Sequence, residues 1–394
     1  MNTPDQALLS ANTDRIMKKD LIRHISSLEK DMFQLLRQLV LIQSGTYNKS
    51  GIDRVAEIVS SFLSDASMNV ELLKMPECGN MIRAWSSKAD FQKPILLVGH
   101  MDTVFPHDTG FKHYHEDETR AYGPGVMDMK GGLVVGIFAL KALSDLGFLE
   151  DVPVSLFFNS EEEIGSPYSR QFIEDMAARS RAAFVLEGGG LRSEVVVGRK
   201  GKIGLDLQVS GRAGHAGGAG LDKPSAVLEA AHKVIALERL NHPPDILVNV
   251  GQISGGMGPN SIAEHARLGV DVRFNRPEDE KVLLGWIEQI ASASAVPETF
   301  SEIIITSSRP PMRTEAKIIK LYEFVLNVSR KYDVPMGSET RGGVSDANFI
   351  AAMGVPVLDG LGPCGDLDHS DQEYIIKKSM VERVILLAGS LLEF

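Results

Sequence analysis

Three apolar segments of the chain, each typical of a buried strand, are followed within a few residues by side chains that can bind metal ions or move protons. These side chains are His100 and Asp102 after Ile95–Val98, Glu161, Glu162 and Glu163 after Val154–Phe158, and Glu187 after Phe184–Leu186. In open α/β sheets, ligands bind beyond the carboxyl ends of the strands, so we expect these side chains to converge. Imidazole and carboxylate groups bind divalent metals, and the predicted chemistry is therefore that of a metal centre.

His100 and Asp102 are two residues apart, so their side chains point to the same side of an extended chain. A histidine that binds a metal usually donates its other ring N–H to a carboxylate, and Asp102 is placed to accept it. A lone histidine at a strand end is more often a satisfied core residue, but the paired aspartate and the acidic partners favour a ligand.

The other acidic residues allow a structural and a functional interpretation. Asp128 lies in the glycine-rich segment Gly123–Gly132 ahead of an apolar helix, where it could cap that helix or point into a binding site. The three glutamates could form a solvated run near a helix N-terminus, or one could bind metal while its neighbour moves protons. Glu187 is costly to bury unless it is paired or bound to a cation. His369, in a polar turn near the C-terminus, gives only a weak signal by itself.

The elements that must position these residues follow from the hydrophobic pattern. Apolar residues at helical spacing predict helices over 20–43 and 52–62, and further helices near 132–146 and 168–179 separate the strands. This alternation is typical of an α/β domain with a mostly parallel, helix-covered sheet. From about residue 200 the pattern predicts a smaller α+β unit. Its strands are Ile203–Val209, Ile246–Ile253, Ala266–Phe274 and Ile303–Thr306, with helices near 224–240 and 278–290.

Composition excludes several classes of protein. The 394 residues suffice for two or three domains, and 43% hydrophobic with 24% charged residues is ordinary for globular proteins. The net charge of −11 argues against nucleic-acid binding through a general basic field. Cys78 and Cys364 are too few for a disulfide framework. No apolar run reaches the length of a membrane span and the first 40 residues lack the apolar core of a signal peptide, so a cytoplasmic location is predicted.

Taken together, the motifs resemble those of the M20 metallopeptidase family, in particular its glutamate carboxypeptidase-like branch. The matching segments are Gly99–Val104 (GHMDTV), Tyr122–Gly132 (YGPGVMDMKGG), Phe158–Gly165 (FNSEEEIG), Glu187, Gly214–Gly217 (GHAG), Asp271–Arg273 (DVR) and His369-Ser370. They span almost the whole chain after about residue 40, and their combination is far more specific than any one of them.

The resemblance implies two zinc ions per subunit in a shared site, and cobalt or manganese could also support activity. By position, His100, Asp128 and Glu187 would bind one ion, and Asp128, Glu163 and His369 the other, with Asp128 bridging. Glu162 matches the family's general base, and Asp102 matches the residue that orients the first histidine. The bridging aspartate of the family commonly precedes a cis peptide bond, which here would join Asp128 to Met129.

The resemblance also implies substrate contacts. His215 matches a histidine that reaches a neighbouring subunit's active site, where it would stabilise the oxyanion. Asn260, Arg273, Arg309 and Gly343 match substrate-binding positions. Arginine suits a free carboxylate because its planar fork matches carboxylate geometry. Ion pairing within the protein is the alternative role for either arginine.

The predicted domain organisation follows from the site. Because His100 and His369 must meet, residues 1–199 and 312–394 are predicted to form one discontinuous catalytic dizinc domain of the zinc-exopeptidase type. Residues 200–311, which end near Pro310-Pro311, would then be inserted. In the family such a segment mediates dimerisation and acts as a lid, so a homodimer is implied.

The implied function is that of a dizinc hydrolase that cleaves an amide bond next to a free carboxylate. It would release a glutamate-like C-terminal amino acid from a small peptide or an N-acyl amino acid. Deacylation of the acetylornithine type and dipeptide cleavage are alternatives that the shared motifs do not separate. A non-catalytic binding protein is a remote alternative, because the five ligand positions and the base are all filled by suitable residues. A nucleotide-binding enzyme is rejected, since Glu187–Gly190 contains no GxGxxG motif.

Overall fold

The computed structural model describes residues 17–218, 220 and 222–394. Residues 1–16 lie outside the described residues. They open the predicted domain 1–199 and belong to the first 40 residues, which are predicted to contain no signal peptide. Within the described part of the chain, no helix combines the length and the apolar character needed to cross a membrane. Cys78 and Cys364 are buried thiols that form no disulfide.

The helices are α1 (residues 17–27 of the described part), α2 (Glu29–Val40), α3 (Lys49–Asp65), α4 (Gly131–Asp145), α5 (Arg170–Ala178), α6 (Ala226–Glu238), α7 (Pro277–Ser292), α8 (Ala316–Tyr332), α9 (Ala347–Ala352) and α10 (Lys377–Glu393). The strands are β1 (Asn69–Leu73), β2 (Met81–Trp85), β3 (Ile95–His100), β4 (His115–Glu116), β5 (Arg120–Tyr122), β6 (Val154–Asn159), β7 (Ala182–Val185), β8 (Glu194–Arg199), β9 (Gly201–Ser210), β10 (Gly214–His215), β11 (Ile246–Gly255), β12 (Ser261–Ile262), β13 (His265–Phe274), β14 (Phe300–Arg309), β15 (Gly337–Arg341), β16 (Val357–Leu358), β17 (Gly365–Asp366) and β18 (Tyr374–Ile376).

The helix predicted over 20–43 is divided at Leu28, whose φ of −89° and ψ of 0° differ from helical values. The apolar stripe formed by Ile25, Leu28 and Met32 continues through this break and is buried on both sides of it. The hydrophobic pattern records the buried face and not the local turn of the backbone. For that reason it predicts one helix where the structure has α1 and α2.

The chain divides into two compact units. The first contains residues 17–197, 314–340 and 345–394 of the described part, and the second contains residues 198–313 and 341–344. The sequence predicts the corresponding boundaries after residues 199 and 311. Residues 341–344 belong to the second unit because their carbonyl groups accept hydrogen bonds from the Lys200 N–H and from the Arg199 and Arg273 side chains.

A six-stranded sheet forms the centre of the first unit, with the strand order β1-β2-β6-β3-β7-β16. Strand β3 pairs in parallel with β6 and β7, β7 pairs in parallel with β16, and β2 pairs antiparallel with β6 and β1. Every residue of β3, β6 and β7 is buried, which explains their continuous apolar sequences. The predicted α/β class is confirmed, and the sheet is mixed because β1 and β2 complete one edge.

Helix α4 approaches the end of this sheet closely. A Cβ atom at Gly132 would overlap the carbonyl oxygen of Leu186, the residue directly after β7. Gly132 therefore permits α4 to pack against Leu186, and this contact helps to fix the position of the next residue, Glu187. Ahead of α4, the peptide bond between Asp128 and Met129 is cis, as the family resemblance implies.

The second unit consists of a four-stranded antiparallel sheet, in the order β11-β13-β9-β14, and of helices α6 and α7. Its core contains apolar residues of the sheet and of both helices, among them Leu207, Leu268, Ala230 and Ile287. These elements agree with the strands and helices that the sequence predicts for its α+β segment.

Candidate metal centre

The parallel strands of the first unit bring three of the predicted ligands, His100, Glu163 and Glu187, to one edge of the sheet. His100 is the last residue of β3 and lies opposite Asn159, the last residue of β6. Strand β7 pairs with the other side of β3 and leads through Leu186 into Glu187. The carboxyl ends of the three strands therefore meet, which is where ligands bind in sheets of this kind.

Five side chains form two overlapping groups around Asp128. One group is His100, Asp128 and Glu187, the other is Asp128, Glu163 and His369, and the candidate ligand atoms in each group lie within 4.8 Å of one another. Asp128 Oδ1 lies 2.9 Å from His100 Nε2, and Asp128 Oδ2 lies 3.1 Å from His369 Nε2. Glu187 Oε1 lies 3.6 Å from His100 Nε2, and Glu163 Oε2 lies 3.6 Å from His369 Nε2. The structure thus brings together all five residues predicted as ligands, with the predicted bridging residue in the centre.

Asp102 is fully buried and connects several parts of the site. Its Oδ1 lies 3.2 Å from His100 Nδ1, which leaves Nε2 of that imidazole for the rest of the site. The backbone N–H groups of Glu162 and Glu163 donate to the two Asp102 carboxylate oxygens at 3.2 and 3.3 Å. The Thr46 hydroxyl donates to Oδ2 at 2.6 Å. One carboxylate therefore orients a histidine and fixes the backbone of two glutamates.

A second buried carboxylate, that of Glu373, was not predicted from the sequence. Its Oε1 accepts hydrogen bonds from the backbone N–H groups of Met127 and Asp128 at 2.8 and 3.0 Å, and its Oε2 accepts one from Gly125 at 2.9 Å. These contacts hold the loop that presents Asp128. The sequence signal for this residue was an acidic side chain four positions after His369, directly before the apolar strand β18.

The three consecutive glutamates have different surroundings. Glu161 is fully buried and accepts hydrogen bonds from two backbone N–H groups and from the Ser169 hydroxyl. Burial raises the pKa of Glu161 to about 7. Glu161 therefore supports the turn that follows, whereas Glu163 belongs to the second ligand group.

The charges of the cluster are unbalanced without a cation. Burial, followed by the negative charge of Asp128, raises the pKa of Glu163 and of Glu187 well above the ordinary value, and the charge of Glu162 adds to the effect. Burial opposes the charged form of His100, but its contacts with carboxylates outweigh burial and raise its pKa. These buried acids resist ionisation unless positive charge is added.

Divalent metal ions fit this arrangement. Glu163 Oε1 is buried and accepts no hydrogen bond from the residues that the structure describes, so one acceptor atom is left for a ligand. A donor set of two imidazoles and three carboxylates suits zinc, and also cobalt or manganese. The residues present therefore fit a divalent metal ion.

His215, the catalytic residue predicted to stabilise the oxyanion, and the predicted substrate-binding residue Asn260 come together in the second unit. His215 is exposed in β10 and pairs with Ser261 of β12. Next to this pair, the backbone N–H of Ala216 donates to the carbonyl oxygen of Asn260 at 3.0 Å. His215 and Asn260 therefore lie side by side, and their roles toward a substrate stay predictions.

The other three predicted substrate-binding residues also lie in the second unit. Arg273 forms an ion pair with Asp271 at 2.6 Å and donates to the carbonyl oxygen of Gly342 at 3.2 Å, beside Gly343. Arg309 is 2% exposed. The ion pair shows that the alternative role named for Arg273 exists in this structure, while substrate binding by these residues stays a prediction.

An α/β unit that gathers two overlapping His/carboxylate groups at the carboxyl ends of parallel strands has the architecture of a metal-dependent hydrolase. The chain belongs to the peptidase family M20/M25/M40, whose sequence model matches residues 96–393. The prediction that this protein is an M20 metallopeptidase is thereby confirmed.

Known relatives match almost the whole chain. Carboxypeptidase G2 of Pseudomonas sp. (strain RS-16) is 28% identical over 390 residues, which cover 97% of this chain and 94% of the relative. Succinyl-diaminopimelate desuccinylase of Blochmanniella pennsylvanica is 24% identical over 374 residues, which cover 84% of this chain and 93% of that enzyme. The crystal structure of an M20 family metallo-carboxypeptidase from Sulfolobus solfataricus has a TM-score of 0.75 at 16% identity, covering 92% of this chain and 98% of its own, and this likeness shows the fold.

Proposed function

We propose that this protein is a dizinc hydrolase that cleaves the amide bond next to a free carboxylate. It releases a glutamate-like C-terminal amino acid from a small peptide or an N-acyl amino acid. The observation that carries the proposal is the position of Asp128, whose two oxygens face His100 and His369 at 2.9 and 3.1 Å. A carboxylate shared between two ligand groups suits a pair of metal ions.

The ligand residues divide between the two proposed ions. His100 and Glu187 would hold one ion, Glu163 and His369 the other, and Asp128 both. Two zinc ions, or cobalt or manganese in their place, would polarise the scissile carbonyl and lower the pKa of a water molecule. Asp102 supports this set because it fixes the imidazole of His100.

Glu162 is the proposed general base. Its backbone N–H is held by Asp102 at 3.2 Å, directly before the ligand Glu163. Its carboxylate would take a proton from the attacking water and pass it to the departing amine, acting first as base and then as acid. The neighbouring Glu161 is engaged in the buried turn described above, so the two adjacent glutamates would have separate roles.

The second unit is proposed to complete the site in a homodimer. Arg273, Arg309, Asn260 and Gly343 would contact the substrate, the arginines through its free carboxylate. His215 would stabilise the oxyanion in the partner subunit's site. The dimerisation and lid roles of this unit and the cytoplasmic location remain part of the proposal.

A second candidate function is deacylation of an N-acyl amino acid, which is supported by the similarity to a succinyl-diaminopimelate desuccinylase. The two functions differ in the acyl group and in the amino acid released, and not in the metal chemistry. A substrate panel can therefore separate them.

The test is release of free amino acid from a panel of N-acyl amino acids and dipeptides by the zinc-loaded protein. Glu162→Gln keeps the shape of the side chain but removes the base, so we expect kcat to fall by roughly 10²- to 10⁴-fold while zinc content is unchanged. Glu118→Gln, an exposed site outside the cluster, is the matched control and should behave as wild type. Wild-type activity in Glu162→Gln would contradict the role of Glu162, and no activity on any compound with both ions bound would contradict the proposed function.

A further inference from the structure

A pocket in the first unit opens beside Glu163. It is lined by residues 45–48, residues 103–107, Glu163 and Ile164, and its volume is about 520 Å³. Ligand pockets in proteins usually measure about 300–1,000 Å³, so this space can hold part of a small molecule. It is named the lateral pocket below.

The two loops that form the lateral pocket are fastened to each other. The Thr46 N–H donates to the Thr103 carbonyl at 3.2 Å, and the Thr103 N–H donates to the Ser44 carbonyl at 3.0 Å. A Cβ atom at Gly45 would overlap the carbonyl oxygen of Phe105, so the loops touch closely at this point. The shape of the pocket is therefore built into the protein.

The same loops are tied to the metal centre. The Thr46 hydroxyl donates to Asp102 at 2.6 Å, and Asp102 in turn accepts from the Glu163 N–H at 3.3 Å. Asp102 also lies 3.2 Å from the His100 imidazole. The pocket wall is thus fixed relative to two candidate ligands, Glu163 and His100.

The lining determines which group the pocket can accept. Tyr47, Val104, Phe105 and Pro106 give it an apolar wall, in which Tyr47 and Val104 are 89% and 38% exposed to solvent. Among the described residues that line the pocket, Glu163 is the carboxylate and none is lysine or arginine. His107 also lines the pocket, but a negatively charged group would find no lysine or arginine there to offset the cost of its desolvation. The lining therefore favours an uncharged group over the free carboxylate of the leaving amino acid.

We infer that the lateral pocket binds the acyl side of the substrate and selects an uncharged, apolar acyl group larger than acetyl. Tyr47 and Val104 are the specificity-determining residues. The inference rests on the proposed function, because it assumes that the metal centre cleaves an amide bond. It also separates this protein from a desuccinylase, since a succinyl group ends in a carboxylate.

The experiment compares four substrates that share one leaving amino acid and carry acetyl, butanoyl, succinyl or benzoyl groups. Butanoyl and succinyl have the same number of carbon atoms and differ by the terminal carboxylate. We expect kcat/KM for the butanoyl compound to exceed that for the succinyl compound at least about tenfold. The benzoyl compound should exceed the acetyl compound by a similar factor, about tenfold, because it fills more of the pocket.

Two variants of the exposed Tyr47 test the location. Tyr47→Ala should lower the ratio of kcat/KM for the benzoyl compound to that for the acetyl compound about three- to tenfold. Tyr47→Arg supplies the missing cation and should raise the ratio of succinyl to butanoyl hydrolysis roughly fivefold. Phe91, which is 85% exposed in the same unit and outside the pocket, provides the matched controls Phe91→Ala and Phe91→Arg. These controls should leave every ratio unchanged.

The outcomes separate the inference from the function on which it rests. Two results would overturn the assignment of the pocket and leave the proposed hydrolase function intact. The first is equal hydrolysis of the succinyl and butanoyl compounds by the wild type. The second is a ratio of succinyl to butanoyl hydrolysis that changes no more in Tyr47→Arg than in Phe91→Arg. Absence of hydrolysis of all four compounds by the zinc-loaded protein would overturn the proposed function and the assignment with it.

Discussion

At the scale of single residues, Glu373 is a carboxylate that acts through another carboxylate. It accepts hydrogen bonds from three backbone N–H groups of the loop that carries Asp128, at 2.8 to 3.0 Å. Because Asp128 lies between the two imidazoles, a shift of this loop would change both ligand groups. Glu373 is therefore a positioning residue for the metal centre.

We expect Glu373→Gln to weaken zinc binding by roughly 10- to 100-fold, the range found for outer partners of metal ligands. The amide keeps the size of the side chain but turns one acceptor oxygen into an NH₂ group, which cannot accept from a backbone N–H. Zinc affinity measured by competition with a chromophoric chelator would report the loss directly, without reliance on activity.

Glu229 offers a matched control in the second unit. It is also fully buried and accepts hydrogen bonds from the backbone N–H groups of Ala295 and Val296, at 2.9 and 2.7 Å. Glu229→Gln should lower stability and leave zinc affinity unchanged. Equal losses of zinc affinity in the two variants would show that Glu373 contributes to folding in general and does not specifically position the metal centre.

At the scale of elements, the close packing of α4 against the end of β7 fixes the position of Glu187. Gly132→Ala would place a methyl group against the Leu186 carbonyl, and we expect a loss of stability of about 1–3 kcal/mol together with weaker zinc binding. Gly285→Ala, within α7, meets no atom within 4 Å and should instead stabilise the protein by about 0.5–1 kcal/mol. Urea denaturation of both variants checks this contrast, and two effects of the same sign would contradict it.

At the same scale, individual strands show how far the fold and the site can be predicted from the sequence. Strands β3, β6 and β7 were predictable because they are buried on both faces. His100 at the end of β3, and Glu163 and Glu187 shortly after β6 and β7, were predictable as ligands because the carboxyl ends of parallel strands meet. Strand β1 has only exposed and half-buried residues, and β17 has two residues, so neither leaves a clear hydrophobic pattern. Glu373 was not predictable for another reason. Its donors lie 245 to 248 positions away, and no local pattern reports contacts of that range.

At the scale of the whole molecule, folding buries acidic groups from distant parts of the chain in one unit. Burial raises the pKa of Glu161 and of Glu373 to about 7, from an ordinary value of 4.5. Between these two pH values the folded metal-free chain holds protons that the unfolded chain has already released. The free energy of unfolding therefore falls as the pH rises through this interval.

The other titrating groups of the centre do not reverse this sign between about pH 4.5 and pH 7, because the lowered pKa of Asp128 acts only below its ordinary value of 3.8. The pKa values of His100 and His369 are raised, so their contribution to stability also declines as the pH rises above their ordinary value of 6.5. Burial lowers the pKa of Lys130 to about 7, which acts in the opposite direction but only above that pH. The predicted interval of falling stability is thus set by the buried glutamates.

We therefore expect the metal-free protein to lose more than about 5 °C in Tm between about pH 5 and about pH 7. The zinc-loaded protein should lose much less, because the positive charge of the ions favours the ionised carboxylates. Thermal unfolding at matched ionic strength, with excess chelator in one series and zinc in the other, measures both profiles. Glu373→Gln removes one of the titrating groups, so its metal-free profile should be less steep than that of the wild type. Parallel profiles with and without zinc would show that the buried acidic cluster is not the source of the pH dependence.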